Sequence, residues 1–171
     1  MEWISNLIGK FETVSKNIST VDTVIERVAE QNKDVILSLN KDQLLFGRNT
    51  DGDLLSPSYL DDPYFKTEKQ AQWYAGMKYN LERAHAARIH NPQLFVTNPR
   101  NTPNLIVSGA FQGGMLIVIG GNRFEISSTY EDTADIESKY NYKVFGLAEV
   151  SHQYFYANYL HEELLRYIYG M

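Results

Sequence analysis

From Ile4 the apolar side chains fall at Ile4, Leu7, Phe11, Val14, Ile18, Val21, Ile25 and Val28, in steps that alternate three and four. A 3.5-residue repeat lines these side chains up as one narrow seam along a helix. Ser19-Thr20-Val21-Asp22 interrupts the seam with capping residues, so the pattern predicts one long helix or a pair, the second running on through Val35, Ile36 and Leu39. Such a seam packs either on its own domain or against a neighbouring copy. Phe46-Gly47-Arg48-Asn49-Thr50-Asp51-Gly52-Asp53 is then turn chemistry, and Ser56 to Phe65, with two prolines, reads as extended or turning chain.

Helical spacing returns at Glu68 and continues to His90, with Trp73, Met77, Leu81 and Ala84 on one face, until Asn91-Pro92 stops it. Asn98-Pro99-Arg100-Asn101-Thr102-Pro103 is a polar surface loop. Beyond it the period changes to two. Met115-Leu116-Ile117-Val118-Ile119 and Arg123-Phe124-Glu125-Ile126-Ser127-Ser128 flank Gly120-Gly121-Asn122, the pattern of a β-hairpin. Phe124 and Ile126 share one side of the second arm. The first arm is apolar on both, as in a central strand or one covered by a partner. Residues 129–144 are polar and Tyr-rich, with acids at Glu131, Asp132, Asp135 and Glu137, and predict a mobile excursion with a short helix. From Val150 to Tyr169 a last helix carries Ala157, Leu160, Leu164 and Ile168 as its stripe, with Tyr154, Tyr156, Tyr159 and Tyr167 spread around it.

The fold class these elements define is α+β: a long N-terminal helix or helix pair, a middle helix, a small antiparallel sheet with a central hairpin, and a C-terminal helix. At 171 residues the expectation is one domain over 1–171, organised as a helical arm (1–40), a loop region (43–67), a helix with the small sheet (68–149) and the C-terminal helix (150–171). Hydrophobic residues at 43% and charged residues at 22% suffice for a packed core without a staple. The absence of cysteine excludes disulfides and thiolate chemistry. A net charge of −5 with scattered Lys and Arg argues against sequence-specific nucleic-acid binding. Acidic Glu2 near the start and the lack of a long apolar run predict neither a secretory signal nor a membrane span, hence a cytosolic origin. The 12 tyrosines suit either a Tyr-rich core or surfaces that become buried against a partner.

Motifs that carry chemistry are incomplete in this chain. Asn49, Asp51 and Asp53 alternate like a calcium loop, but the glycine falls at the fourth position and Leu60 at the twelfth. Ser108 lacks the flanking glycines of a nucleophile elbow, Ile106 and Ala110 standing in their places. Gly109-Ala110-Phe111-Gln112-Gly113-Gly114 lacks the Lys-Ser/Thr ending of a phosphate loop and leads towards a strand. His161-Glu162-Glu163 fails the H-E-x-x-H pattern at Leu165, His152 lies on another face, and His85 and His90 are five apart, which does not make a shared ligand face. The acid pairs Asp61-Asp62 and Glu162-Glu163 are expected to be ordinary solvated neighbours. The expectation is a non-enzymatic protein with no catalytic residue, cofactor or metal.

Four segments, in order, carry a resemblance: Gln43-Leu44-Leu45-Phe46-Gly47 with Asp51-Gly52 and Ser56-Pro57-Ser58-Tyr59; Tyr74-Ala75-Gly76-Met77-Lys78; Pro103 to Phe111, with Ser108 where Thr is commoner; and Phe145-Gly146-Leu147. Together they resemble the neck and tail-completion (head-tail connector ring) proteins of tailed bacteriophages, of the crAss-like or other Bacteroidetes-phage type. The resemblance implies a structural virion protein made in the bacterial host cytoplasm. It would form a homo-oligomeric ring that joins portal to tail around a DNA channel, against neighbouring portal, adaptor or tail proteins. A tail-tube, tail-terminator or minor capsid subunit is the alternative, and a small non-viral protein-binding module a further one. Rings close through two different faces of one chain. Candidate oligomer contacts are Leu7, Phe11, Val14 and Ile18 on the N-terminal seam and Tyr154, Tyr156, Tyr159 and Tyr167 on the final helix. Candidate docking residues in the loops are Arg48, Asp51, Asp53, Tyr59, Tyr64 and Arg100.

Overall fold

The computed structural model describes residues 2–86, 94–95, 100–120 and 123–170. His90, the Asn91-Pro92 stop, Asn98-Pro99 and the Gly121-Asn122 turn lie outside the described residues, as do the side chains of Ala84 and His85. The architecture is α+β, mostly helix with one two-stranded antiparallel sheet. The N-terminal region forms three helices where one or two were expected: α1 (Glu2–Ile18), α2 (Val21–Gln31) and α3 (Lys33–Leu45). The first break falls at Ser19-Thr20, as the capping residues predicted. The second is made by Asn32, whose side chain donates to the Val28 carbonyl at 2.8 Å while its backbone (φ −121°, ψ 28°) leaves the helical region. An Asn that bonds its own preceding turn competes with the helix and ends it.

The middle helix, α4 (Glu68–Ala86), buries a different face from the one its large apolar residues suggest. Ala71, Ala75 and Lys78 are buried, while Trp73 is exposed. Gly76 leaves room for the Arg100 guanidinium: a Cβ added there would meet Nη2 at 2.2 Å. A one-turn helix, α5 (Ala110–Gly113), intervenes before the sheet, so the glycine-rich segment does not lead straight into a strand. Gly109 starts it at φ +84°, a left-handed conformation that glycine adopts without strain.

In the hairpin, β1 (Met115–Gly120) pairs with β2 (Arg123–Ser128) with Ile117 opposite Ile126 and Ile119 opposite Phe124. Met115, Ile117 and Ile126 face the core with Ile36, Leu39, Leu44, Phe111 and Val144. The sheet has only these two strands among the described residues, so β1 is not a central strand, and the outer Leu116 and Val118 stand exposed opposite Ser127 and Glu125. The polar 129–144 stretch contains α6 (Thr133–Lys139) and is anchored by buried Tyr140 and Val144.

Two buried amides tie the chain's halves together. Asn40 donates from Nδ2 to the carbonyls of Val144 (3.1 Å) and Gly146 (2.8 Å). Gln43, one turn on, donates from Nε2 to Gly146 (3.2 Å) and accepts at Oε1 from the Ala148 N–H (2.7 Å). Ala148 is the N-cap residue of α7 (Glu149–Phe155), so Gln43 sets where the final helical run begins. That run passes through a π-helical turn (Tyr156–Leu160) into α8 (His161–Tyr169).

Replacing Gln43 with Ala strands the buried Ala148 N–H and leaves the Gly146 carbonyl to Asn40 alone, and is expected to cost about 1–3 kcal/mol, read as a lower urea midpoint with an unchanged slope. Gly109→Val meets open space, with nothing within 4 Å of the added Cβ. Its cost is therefore the positive φ alone, about 1–2 kcal/mol by the same measurement.

Candidate functional site

The α1 part of the N-terminal seam is largely uncovered by its own domain. Ile4, Leu7, Phe11 and Ile18 are 43%, 46%, 67% and 55% exposed, with Ile8 also exposed and Val14 half-buried. Among the described residues, the hydrogen bonds that hold the helix lie at its C-terminal end, where Asn17 Nδ2 donates to the Tyr167 carbonyl (2.8 Å) and, just beyond the helix, Thr20 Oγ1 and the Tyr167 hydroxyl share a hydrogen bond of 2.7 Å. An Arg27–Glu163 ion pair at 3.0 Å links α2 to the same helix, α8. Tyr167 is thus committed to an internal contact, while Leu7, Phe11 and Ile18 face solvent.

In the final helical run the half-buried side chains come in pairs, Tyr154/Phe155, Tyr159/Leu160, Glu163/Leu164 and Tyr167/Ile168. The first interval is five residues and the others four. A π turn supplies the extra residue that keeps both halves facing the molecule. It also turns Ala157 outward from the stripe its spacing suggested. Tyr159 stacks on Phe155 (5.4 Å, 18°) and meets Tyr154 at 6.3 Å, whereas Tyr156 is 47% exposed beside His161.

Among the loop residues, Asn49 Oδ1 accepts from the Asp51 and Asp53 amides at 2.9 and 3.0 Å. This Asx turn accounts for the alternation that looks like a calcium loop. Arg48 donates to the Gly52 carbonyl, Asp51 pairs with Lys143, and Asp53 is exposed. The Asp51 carboxylate holds the Lys143 ammonium above its usual range. Tyr64 is 81% exposed and Arg100 is exposed over Gly76. Tyr59 departs from its expected role at the surface: it is 5% exposed and packs edge-on against Tyr74 at 5.1 Å.

Tyr59 belongs to a buried network that the sequence did not reveal. Its hydroxyl accepts from the Asn104 N–H at 3.1 Å, and Asn104 Nδ2 donates to the Lys78 carbonyl at 2.8 Å. Lys78 Nζ donates to the Ile106 carbonyl. The segments 56–59, 74–78 and 103–111 are therefore joined here, while 43–47 and 145–147 are joined by Gln43. Burial pushes the Lys78 ammonium down to about 8 and raises the Tyr74 phenol, which the Asp62 charge raises further. The only sequence cue to this network is the Lys that closes Tyr74-Ala75-Gly76-Met77-Lys78. Among the described residues no group of three or more His, Asp or Glu is placed to hold a metal ion, and no helix is long and apolar enough to cross a membrane. No family model, curated protein or solved structure matches this chain.

Exposure separates the tyrosines of the final helix. Tyr156→Ala is expected to stay within about 0.5 kcal/mol of the parent protein, and Tyr159→Ala to lose about 1–2 kcal/mol with its ring contacts, both by thermal melting.

Proposed function

We propose that this protein is a structural virion subunit of a tailed bacteriophage, one that forms a homo-oligomeric ring in the neck or tail, joins portal to tail and surrounds the DNA channel. The observation that carries the reading is the uncovered seam of α1, with Ile4, Leu7, Ile8 and Phe11 all exposed. Covering one large apolar side chain contributes about 1.5–3 kcal/mol, so a helix that leaves several in water gains most from a partner.

A ring needs a second, different face to receive the seam. The outer side of the hairpin, with Val118 62% exposed beside Leu116, and the exposed Tyr156 on the final run supply apolar surface on other elements. The preformed turn at 49–53 and the exposed Tyr64 suit docking onto a neighbouring portal, adaptor or tail protein. A net charge of −5 fits a channel wall past which DNA slides, because no counterion release rewards sticking. The ordered segments of the connector-protein resemblance raise this reading above that of a small protein-binding module, which leaves the length of the α1 seam without a use.

Mass spectrometry of purified virions is expected to find this chain, and its absence would overturn the proposal. Phe11→Asp is expected to leave the purified chain's melting temperature within about 2 °C, since the residue is 67% exposed, yet to remove the chain from particles. Incorporation of that variant at the parent level would remove α1 from the interface.

A further inference from the structure

A cavity of about 350 Å³ lies between the 59–65 loop, α4, the 105–112 segment and α6. That volume is at the lower end of the range of small-molecule sites, about 300–1,000 Å³. Its walls carry seven aromatic side chains, including Tyr59, Phe65, Tyr74, Phe111 and Tyr140. They meet edge-on or tilted: Tyr59 to Tyr74 at 5.1 Å and 83°, Phe65 to Tyr74 at 5.1 Å and 44°, Phe111 to Tyr130 at 6.2 Å and 80°. Such walls accept a further ring in the same geometries. The rim is open, with Tyr64, Val107, Ser108 and Ala110 exposed.

Lys78 lines this cavity at 2% exposure. An ammonium has three N–H donors, and among the described residues the one acceptor is the Ile106 carbonyl, with the Tyr74 ring centroid 5.8 Å away. The cavity's one carboxylate, Asp62, is buried, not solvated as its pairing with Asp61 suggested, and is already engaged by Lys139 and the Tyr64 N–H. Two lysines against one aspartate leave a single positive charge, in a protein whose net charge is −5. A buried charge without a counter-ion is costly, and a ligand that brings one relieves that cost.

We propose that this cavity binds a small aromatic monocarboxylate, the Lys78 ammonium taking the carboxylate and the surrounding rings taking the body. One uncompensated cation matches a monoanion better than a phosphate. The affinity follows the charge on Lys78, whose ammonium is lowered by burial to about 8. The other ionisable groups at the cavity are Asp62 and Lys139, paired with each other, and the tyrosines. Tyr74, Tyr130 and Tyr140 all have phenols raised above 10.0 and stay protonated through this range.

Calorimetric titration of the full chain with benzoate, and with benzamide as its neutral isostere, tests the proposal. At pH 7 benzoate is expected to bind at least about tenfold tighter than benzamide. Its affinity should then fall about tenfold per unit above pH 8 while that of benzamide stays level. Lys78→Met should abolish the preference for benzoate. In case that variant does not fold, Tyr64→Ala, altered only at the exposed rim, should weaken both probes severalfold and preserve their ratio. Equal affinity for the two probes, no binding of benzoate at millimolar concentration, a pH-independent benzoate affinity, or a folded Lys78→Met that keeps the preference would each overturn the site.

Discussion

The carboxamides of Asn40 and Gln43, one turn apart on α3 and both fully buried, hold the backbone of residues 144–148 through four hydrogen bonds, and much of the tertiary arrangement follows from that grip. A loop that enters a core brings carbonyl and N–H groups that water can no longer satisfy. Side-chain amides offer a donor and an acceptor together, so they answer both needs where apolar side chains would answer neither. Gly146, at φ +129°, lets the loop close against Thr50, where a Cβ would come within 3.1 Å of Cγ2. Phe145 is thereby set against Phe111 at 5.7 Å. The final helical run starts from the same anchor, and its far end is the surface on which α1 and α2 are held.

The second network, around Asn104, Tyr59 and Lys78, does for the middle of the chain what the first does for its ends. It joins a loop, a helix and the approach to the sheet through backbone groups, and so places an ammonium beside a wall of rings. Burying that ammonium has a cost that apolar packing alone does not require. The same cost makes the cavity receptive to a counter-charge, and this links the energetics of folding to the proposed ligand.

The α1 seam follows a different logic. Its 3.5-residue spacing resumes in α2 after the break at Ser19-Thr20, but the surroundings differ: Val28 is buried and Val21 and Ile25 are half-buried in α2, whereas α1 is tied to α8 by hydrogen bonds of Asn17, with Thr20 just beyond it. The chain carries one seam and covers half of it, which is the arrangement that favours association in the proposed virion ring.

The sequence by itself determined the elements. Hydrophobic period located the α+β order, the break at Ser19-Thr20, the hairpin with Phe124 and Ile126 inward, and the final helix, because a period of 3.5 or 2 is local information. Tertiary structure decided what each face meets. Trp73 and Met77 looked like the buried face of α4, yet Ala71, Ala75 and Lys78 are buried, the last held by the Ile106 carbonyl from a segment distant in sequence. Tyr59 looked like a surface residue, and its hydroxyl turned out to satisfy a buried Asn104 amide. The π turn was not legible because it corrects the phase of one helix against partners far away in sequence. Burial of Asn40, Gln43, Asn104 and Lys78 was not legible either. Polar residues enter a core only where distant backbone groups arrive to pair with them, and no local pattern records that meeting.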